Sequence, residues 1–184
     1  MSPLTNLCAP SIRFELPVAW DVLDHPPSPQ RRERVEHANA GVLACLLREV
    51  DISAKPHPAD EQLAEALAPL RVKLDLIIDL LARLSYRDVE LPPQREIALA
   101  ANRIAWKSAL PLRPGLWLQI RMYFHPTFRE PIIAFAKVSD CIENEPGTGY
   151  CIHADLAGMS QHVGDGLSRL AFLAQRRQRA QREK

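Results

Sequence analysis

The chain has 184 residues, a net charge of +1 and a hydrophobic fraction of 47%. That length supports one domain, 1–184, with an elaboration and a real core. So small a charge excludes a global field that would steer the protein to nucleic acid or an acidic membrane. No apolar run approaches the ~18 residues of a membrane span, so no membrane insertion is expected. Met1 to Pro10 lack the basic patch and apolar core of a signal peptide, and the expected location is the cytoplasm.

The chain opens on "SIRFELPVAW", residues 11–20, where Phe14, Leu16 and Val18 alternate as in a strand. Pro26, Pro27 and Pro29 close that segment, and Ser28 before Pro29 predicts an N-cap with proline at the first helical position. Residues 29–50 then read as a helix with Val35, Val42, Leu43, Leu46, Leu47 and Val50 on one broad face. Residues 58–86 read as a second helix, kinked or split at Pro69.

After Pro93 the period changes to two. "REIALAANRIAW" carries Ile97, Leu99 and Ala101, then Ile104 and Trp106. "GLWLQIRMYF" puts Leu116, Leu118, Ile120, Met122 and Phe124 on one face and Trp117, Gln119, Arg121 and Tyr123 on the other, a half-buried antiparallel pattern. "IIAFAKVSD" and "GYCIHADL" supply further strands joined by "ENEPGTG". A final helix starts near 160, with Val163, Leu167, Leu170, Ala171 and Ala174 as its stripe and an arginine-rich end. Gly164-Asp165-Gly166 reads as a turn. The fold class is α+β: a small antiparallel six-stranded barrel formed by 11–24 and 91–184, ending in a C-terminal helix. Residues 25–90 are an inserted long helical hairpin.

The strand half resembles a known family. "IALAANRIAW", "LPLRPGLWLQIRM", "PIIAFAKVSDC" and "GYCIHADLAGMS" follow, in order, the rhythm of PilZ domains. "RFELPVAW" is similar to the family's opening strand and "DGLSRLAFLAQRRQRAQRE" to its closing helix. The likeness covers roughly 11–20 and 95–184, and the helical insert points to the atypical branch. PilZ domains are best known as receptors for cyclic di-GMP. The family reads that dianion with R-x-x-x-R before the first strand and (D/N)-x-S-x-x-G on the next. Arginine forks can hold both guanine edges and phosphates. Here the second motif falls on Ala98, Ala100 and Arg103, so acid, hydroxyl and glycine are all missing. Arg13 stands alone, with Ala9 four residues before it. Arg83 and Arg87 have the spacing but sit at the end of the long helix. Conventional cyclic di-GMP binding is therefore expected to be absent or very weak. A rebuilt site using Arg13, Arg103 or Arg121 is the alternative.

Other chemistry is sparse. Only seven glycines occur against sixteen prolines, and no P-loop or G-x-G-x-x-G is present, so phosphate cradles lack their backbone. Cys8, Cys45, Cys141 and Cys151 form no C-x-x-C; Cys141 and Cys151 flank a turn and read as free thiols. His125, Cys151 and His153 lack a fourth ligand spacing, and no metal or cofactor is expected. No nucleophile elbow or zincin motif occurs, so no enzyme is expected. Arg176, Arg177, Arg179 and Arg182 read as a solvated helix end, with no nucleic-acid partner, and Trp106, Trp117 and Tyr123 as packing residues.

The strongest pattern is "LAEALAPLRVKLDLIIDLLARL", residues 63–84. Leu67, Leu74 and Leu81 take heptad a positions, and Leu63, Leu70, Ile77 and Leu84 take d positions, reaching the lower limit for a coiled coil. Val72, Leu76 and Leu80 form a second stripe. A helix apolar on both sides must bury both. The expectation is that one stripe packs on helix 29–50 of the same chain and the other on partner chains. Leucine at a, with Ile77 at d and with Ile78 and Leu80 widening the seam, favours more than two strands: a tetramer, with a dimer as alternative. The sequence thus reads as a non-catalytic oligomeric adaptor acting on an unidentified signalling protein. The resemblance implies motility, pilus function or virulence as its setting.

Overall fold

The computed structural model describes residues 12–51, 61–85, 90–100, 102–125, 129–144 and 149–182. In chain order these form β1 (Ile12–Leu23), α1 (Pro29–Asp51), α2 (Glu61–Ser85), β2 (Gln94–Leu99), β3 (Arg103–Ser108), β4 (Trp117–Met122), β5 (Ile132–Glu143), β6 (Tyr150–Leu156) and α3 (Gln161–Arg182). The six strands close into a barrel in the order β1-β2-β3-β6-β5-β4, and every pair is antiparallel. The α+β barrel with a helical insert and a C-terminal helix is therefore the observed architecture.

Closure depends on β1. Residues Ile12 to Pro17 pair with β2, and Val18 to Leu23 pair with β4. The change of partner falls at "Leu-Pro-Val". Proline has no N–H to continue a ladder, so the strand can leave one neighbour there and turn to the next. The Pro17 carbonyl still accepts the Tyr123 N–H at 3.1 Å, which locks the handover.

The interior is filled by the alternating residues that the sequence marks. Leu16, Val18, Ile97, Leu99, Ile104, Leu118, Ile120, Met122, Ile132 and Ile152 are buried around Trp106. Leu116 and Phe124 complete the β4 stripe as half-buried neighbours. "REIALAANRIAW" is two strands, with Ile97 and Leu99 on β2 facing Ile104 and Trp106 on β3; Ala101 lies outside the described residues. Trp106 is core, its ring 5.3 Å from Trp20, while Trp117 and Tyr123 are half-buried.

α1 starts as the sequence predicts, with the Arg31 N–H donating to Ser28 Oγ at 3.2 Å. Among the described residues its apolar face has no substantial packing on α2. Leu43 and Leu46 are buried against Val163, Leu167 and Leu170 of α3 and the barrel, with Val42 and Leu47 at the margin. Val50 falls outside the described side chains. A polar latch fixes the registration. Asn39, buried on that face, accepts from the Ile133 N–H at 2.9 Å and donates to its carbonyl at 2.8 Å. Arg31 donates to Gln119 Oε1 at 2.6 Å and lies over the Phe135 ring.

Gly164 and Gly166 correct a second expectation: both are inside α3, not in a turn. Helical glycine costs about 1 kcal/mol relative to alanine. At Gly166 the compensation is contact, because a Cβ there would overlap Leu43 Cδ2 and lie 2.8 Å from Cγ. The glycine is what lets α1 approach α3.

Candidate functional site

Two surfaces carry the candidate residues: the outer wall of the barrel and the length of α2. On the wall, Ala98 of β2 faces Ala105 of β3, and with Cys151 of β6 they form a small apolar patch with 0% exposure. Ala100 is also buried. Two of the three degenerate motif positions are thus packed methyl groups that offer no donor or acceptor side chain. Arg103 is exposed, and its Nε donates to Asp155 Oδ1 at 2.9 Å.

The other arginines are engaged in the same way. Arg13 lies 3.6 Å from one oxygen of Glu96, whose second oxygen accepts from Lys107 Nζ at 3.2 Å. Arg121 pairs with Asp21 at 2.9 Å. Exposed pairs of this kind contribute about 0–1 kcal/mol each. The three arginines do not converge. Arg121 sits opposite Ala19 and Arg13 opposite Ala98, six residues along β1, about 20 Å of strand.

The wall also holds a pair that the C-x-H spacing predicts on one face. Cys151 Sγ lies 3.5 Å from His153 Nε2, and both side chains are buried. A β-bulge between Val138 and Asp140 shifts β5 by one residue and sets Asp140 opposite His153. Burial pushes the Cys151 thiol above its usual range against the pull of Lys107. Burial lowers the His153 imidazole, with Asp140 opposing and Arg103 reinforcing. A thiol kept protonated is a packing group and not a nucleophile. His125 does not join them in a ligand set: among the described residues no group of three His, Cys, Asp or Glu is placed to hold a metal. Cys141 does not face Cys151 across the hairpin. Its register partner is Ile152, it packs toward the core, and neither cysteine is in a disulfide among the described residues. Cys8 lies outside the described residues.

The His153 shift has a sign that can be checked. The folded state binds this proton less readily than the unfolded chain, whose imidazole titrates near 6.5. Its contribution is therefore complete above about pH 6.5 and is lost as pH falls below that value. Urea midpoints are expected to drop between about pH 7 and 5, and His153→Gln is expected to flatten that drop.

α2 corrects the remaining expectation. Among the described residues it has no substantial packing against any other element. Leu67, Leu70, Leu74, Ile77 and Leu81 of the heptad seam are 49–57% exposed, and Val72, Leu76 and Leu80 are 50–66% exposed. Among the described residues neither stripe is covered, and α3 occupies the face of α1 that was expected to receive one. The side chains of Leu63, Ile78 and Leu84, and the arginines at 83, 87, 176, 177, 179 and 182, lie outside the described set. No described helix is long and apolar enough to cross a membrane.

No family model matches the sequence, and the search of curated proteins gives no match. A solved structure does match. It is a pathogenic protein from Xanthomonas campestris, described as a new tetrameric PilZ domain self-assembled via an unusual helical bundle. The two align with a TM-score of 0.72 over 95% of this chain and 92% of that one, at 21% identity. The fold is that of a PilZ domain. Within this PilZ barrel, the ligand-motif positions named from sequence fall on β2 and at the start of β3, and they hold two buried alanines and an acid-paired arginine. Two features escaped the sequence reading. Asn39, a lone amide on the apolar face of α1, was a readable signal for the latch. The bulge that presents Asp140 to His153 leaves no trace in the residue pattern.

Proposed function

We propose that this PilZ-fold protein is a non-catalytic cytoplasmic adaptor that works as a homo-oligomer, assembled through α2 and presenting its barrels to a signalling protein. The observation that carries the reading is the uncovered heptad seam, with Leu67, Leu70, Leu74, Ile77 and Leu81 all about half exposed in the single chain. Leu63 and Leu84 extend it by spacing. Contiguous apolar surface of this kind marks an interaction site. The helical bundle named for the Xanthomonas campestris protein supports self-assembly as its use, and a tetramer as its size. Joining copies of one modest binding face raises avidity without new contacts. Bacterial motility, pilus function or virulence is the setting that the fold suggests. Light scattering at high concentration is expected to give four times the 20.7 kDa chain mass. A monomer would overturn the assembly.

The same reading holds that cyclic di-GMP is not bound in the usual way. It is supported by the buried alanines at 98 and 100 and by the acid partners of Arg13, Arg103 and Arg121. Calorimetry is expected to show no binding at micromolar ligand. Micromolar binding lost in Arg13→Ala or Arg103→Ala would establish a nucleotide receptor with a rebuilt site instead.

A further inference from the structure

We infer that residues 1–11 lie across the outer wall of β2, β3 and β6, so that the chain itself fills the face where the degenerate ligand motif sits. The inference does not depend on assembly through α2. It adds an occupant to the face from which the reading above excludes the usual nucleotide.

The observation is burial on a wall that the fold should leave open. Ala98, Ala105, Cys151 and His153 point outward, because their strand neighbours Ile97, Leu99, Ile104, Trp106 and Ile152 fill the interior. The outside of a barrel is convex, so its side chains splay apart. Yet Ala98, Ala105 and Cys151 are 0% exposed and His153 is 8% exposed. α1 packs on β5 and α3 on β1, and no described helix has substantial packing over β2, β3 or β6.

The register shows the shape of this face. Arg13, Ala98, Ala105, His153 and Asp140 stand in one row across β1, β2, β3, β6 and β5. Arg103, Asp155 and Lys137 form the row on one side, and Lys107 and Cys151 belong to the row on the other. The charged heads pair along these margins: Arg103 with Asp155, and both Lys107 and Arg13 with Glu96. Between the margins runs a trough floored by two methyl groups and an imidazole.

Length and composition identify the occupant. Four strand spacings of about 4.8 Å make the trough about 19 Å long. About six extended residues span that distance, and eleven precede Ile12. The chain enters β1 at the mouth of the trough, since Ile12 is followed by Arg13, the first residue of the row. Pro10 lacks the N–H that would carry the β1–β2 ladder further, which favours a turn across the strands there. "MSPLTNLCAPS" carries no charged side chain, and Leu4, Leu7 and Cys8 suit an apolar floor bounded by charges. A segment tethered this closely needs little contact area, because its effective concentration is high.

Cys151 is a built-in reporter of this cover, and the exposed Cys45 is its internal standard. Labelling of the native chain with N-ethylmaleimide, mapped by peptide mass spectrometry, is expected to modify Cys45 and spare Cys151. In the double variant Leu4→Asp, Leu7→Asp the labelling rate of Cys151 is expected to rise about tenfold, with that of Cys45 unchanged. Lys107→Ala, which trims the register partner of Cys151, is expected to leave Cys151 protected. Tryptophan fluorescence verifies the barrel in each variant. Wild-type Cys151 labelled as fast as Cys45 would overturn the inference. So would a Cys151 that stays protected in the double variant, or one that Lys107→Ala exposes, because the wall's own side chains would then be the cover. Oligomer mass and calorimetry with cyclic di-GMP test the reading above separately, so either can fail without the other.

Discussion

Leu74→Glu is expected to reduce the assembly to single chains while leaving the barrel intact. Leu74 is the central a residue of the seam and is 50% exposed in the isolated chain. Burying such a side chain contributes about 1.5–3 kcal/mol. The substitution removes that gain and places an unpaired carboxylate in the interface, which adds several kcal/mol of desolvation cost. A combined loss of roughly 4 kcal/mol per chain weakens association close to a thousandfold. The barrel does not share the penalty, because α2 makes no substantial packing contact with any other described element. Tryptophan fluorescence reports this separately, since Trp20 and Trp106 pack against each other at a tilt on the barrel strands β1 and β3 and not on α2. A falling mass with unchanged fluorescence is the expected signature. Loss of both together would show that α2 supports the barrel, contrary to the packing described.

Gly166→Val is expected to do the reverse, loosening the helical cap. The glycine lies in α3 at the point where Leu43 of α1 presses closest. Any Cβ must displace Leu43, which is 2% exposed and packed among Leu46, Val163 and Leu167. Overpacking of this kind costs about 1–3 kcal/mol, and a β-branched side chain adds its own helical penalty. The measurement is a urea midpoint, expected to fall, with the oligomer mass unchanged at low denaturant. Gly164→Ala is the control, because a Cβ at Gly164 meets nothing within 4 Å. It is expected to hold or raise stability, as alanine is the better helix former.

These two sites also show what was legible in the residues. Period-two alternation marked Leu118, Ile120 and Met122 as inward-facing, and the barrel buries all three. The Ser28-Pro29 signal located the start of α1, and the heptad pattern described a helix that does form. Periodicity says which side of an element is apolar, but not what lies against it. The faces of α1 and α2 look alike as patterns, yet one meets α3 and the other has no substantial packing against any described element. Gly166 was misread for a related reason: a glycine in a turn and a glycine at a helix crossing are the same letter. The failed ligand motif was legible residue by residue, since Ala98 and Ala100 carry no polar atoms in their side chains, but their burial in a patch with Cys151 was not.

The handover at Pro17 has a consequence for how the chain folds. β1 draws its two sets of partners from residues 94–99 and 117–122, so the wall cannot close until the whole of 24–93 has been spanned. Loop-closure entropy grows only with the logarithm of length. Replacing a short hairpin connection by this segment costs roughly 2 kcal/mol. The Asn39 latch and the α1–α3 contact are placed to offset a cost of that size. The β5–β6 pairing is local in sequence, whereas the pairings of β1 with β2 and β4 span most of the chain between them. A barrel closed by its most distant strand tolerates almost any length between that strand and the next. The connection from β1 to β2 is therefore where a helix of different stickiness can be exchanged without refashioning the wall.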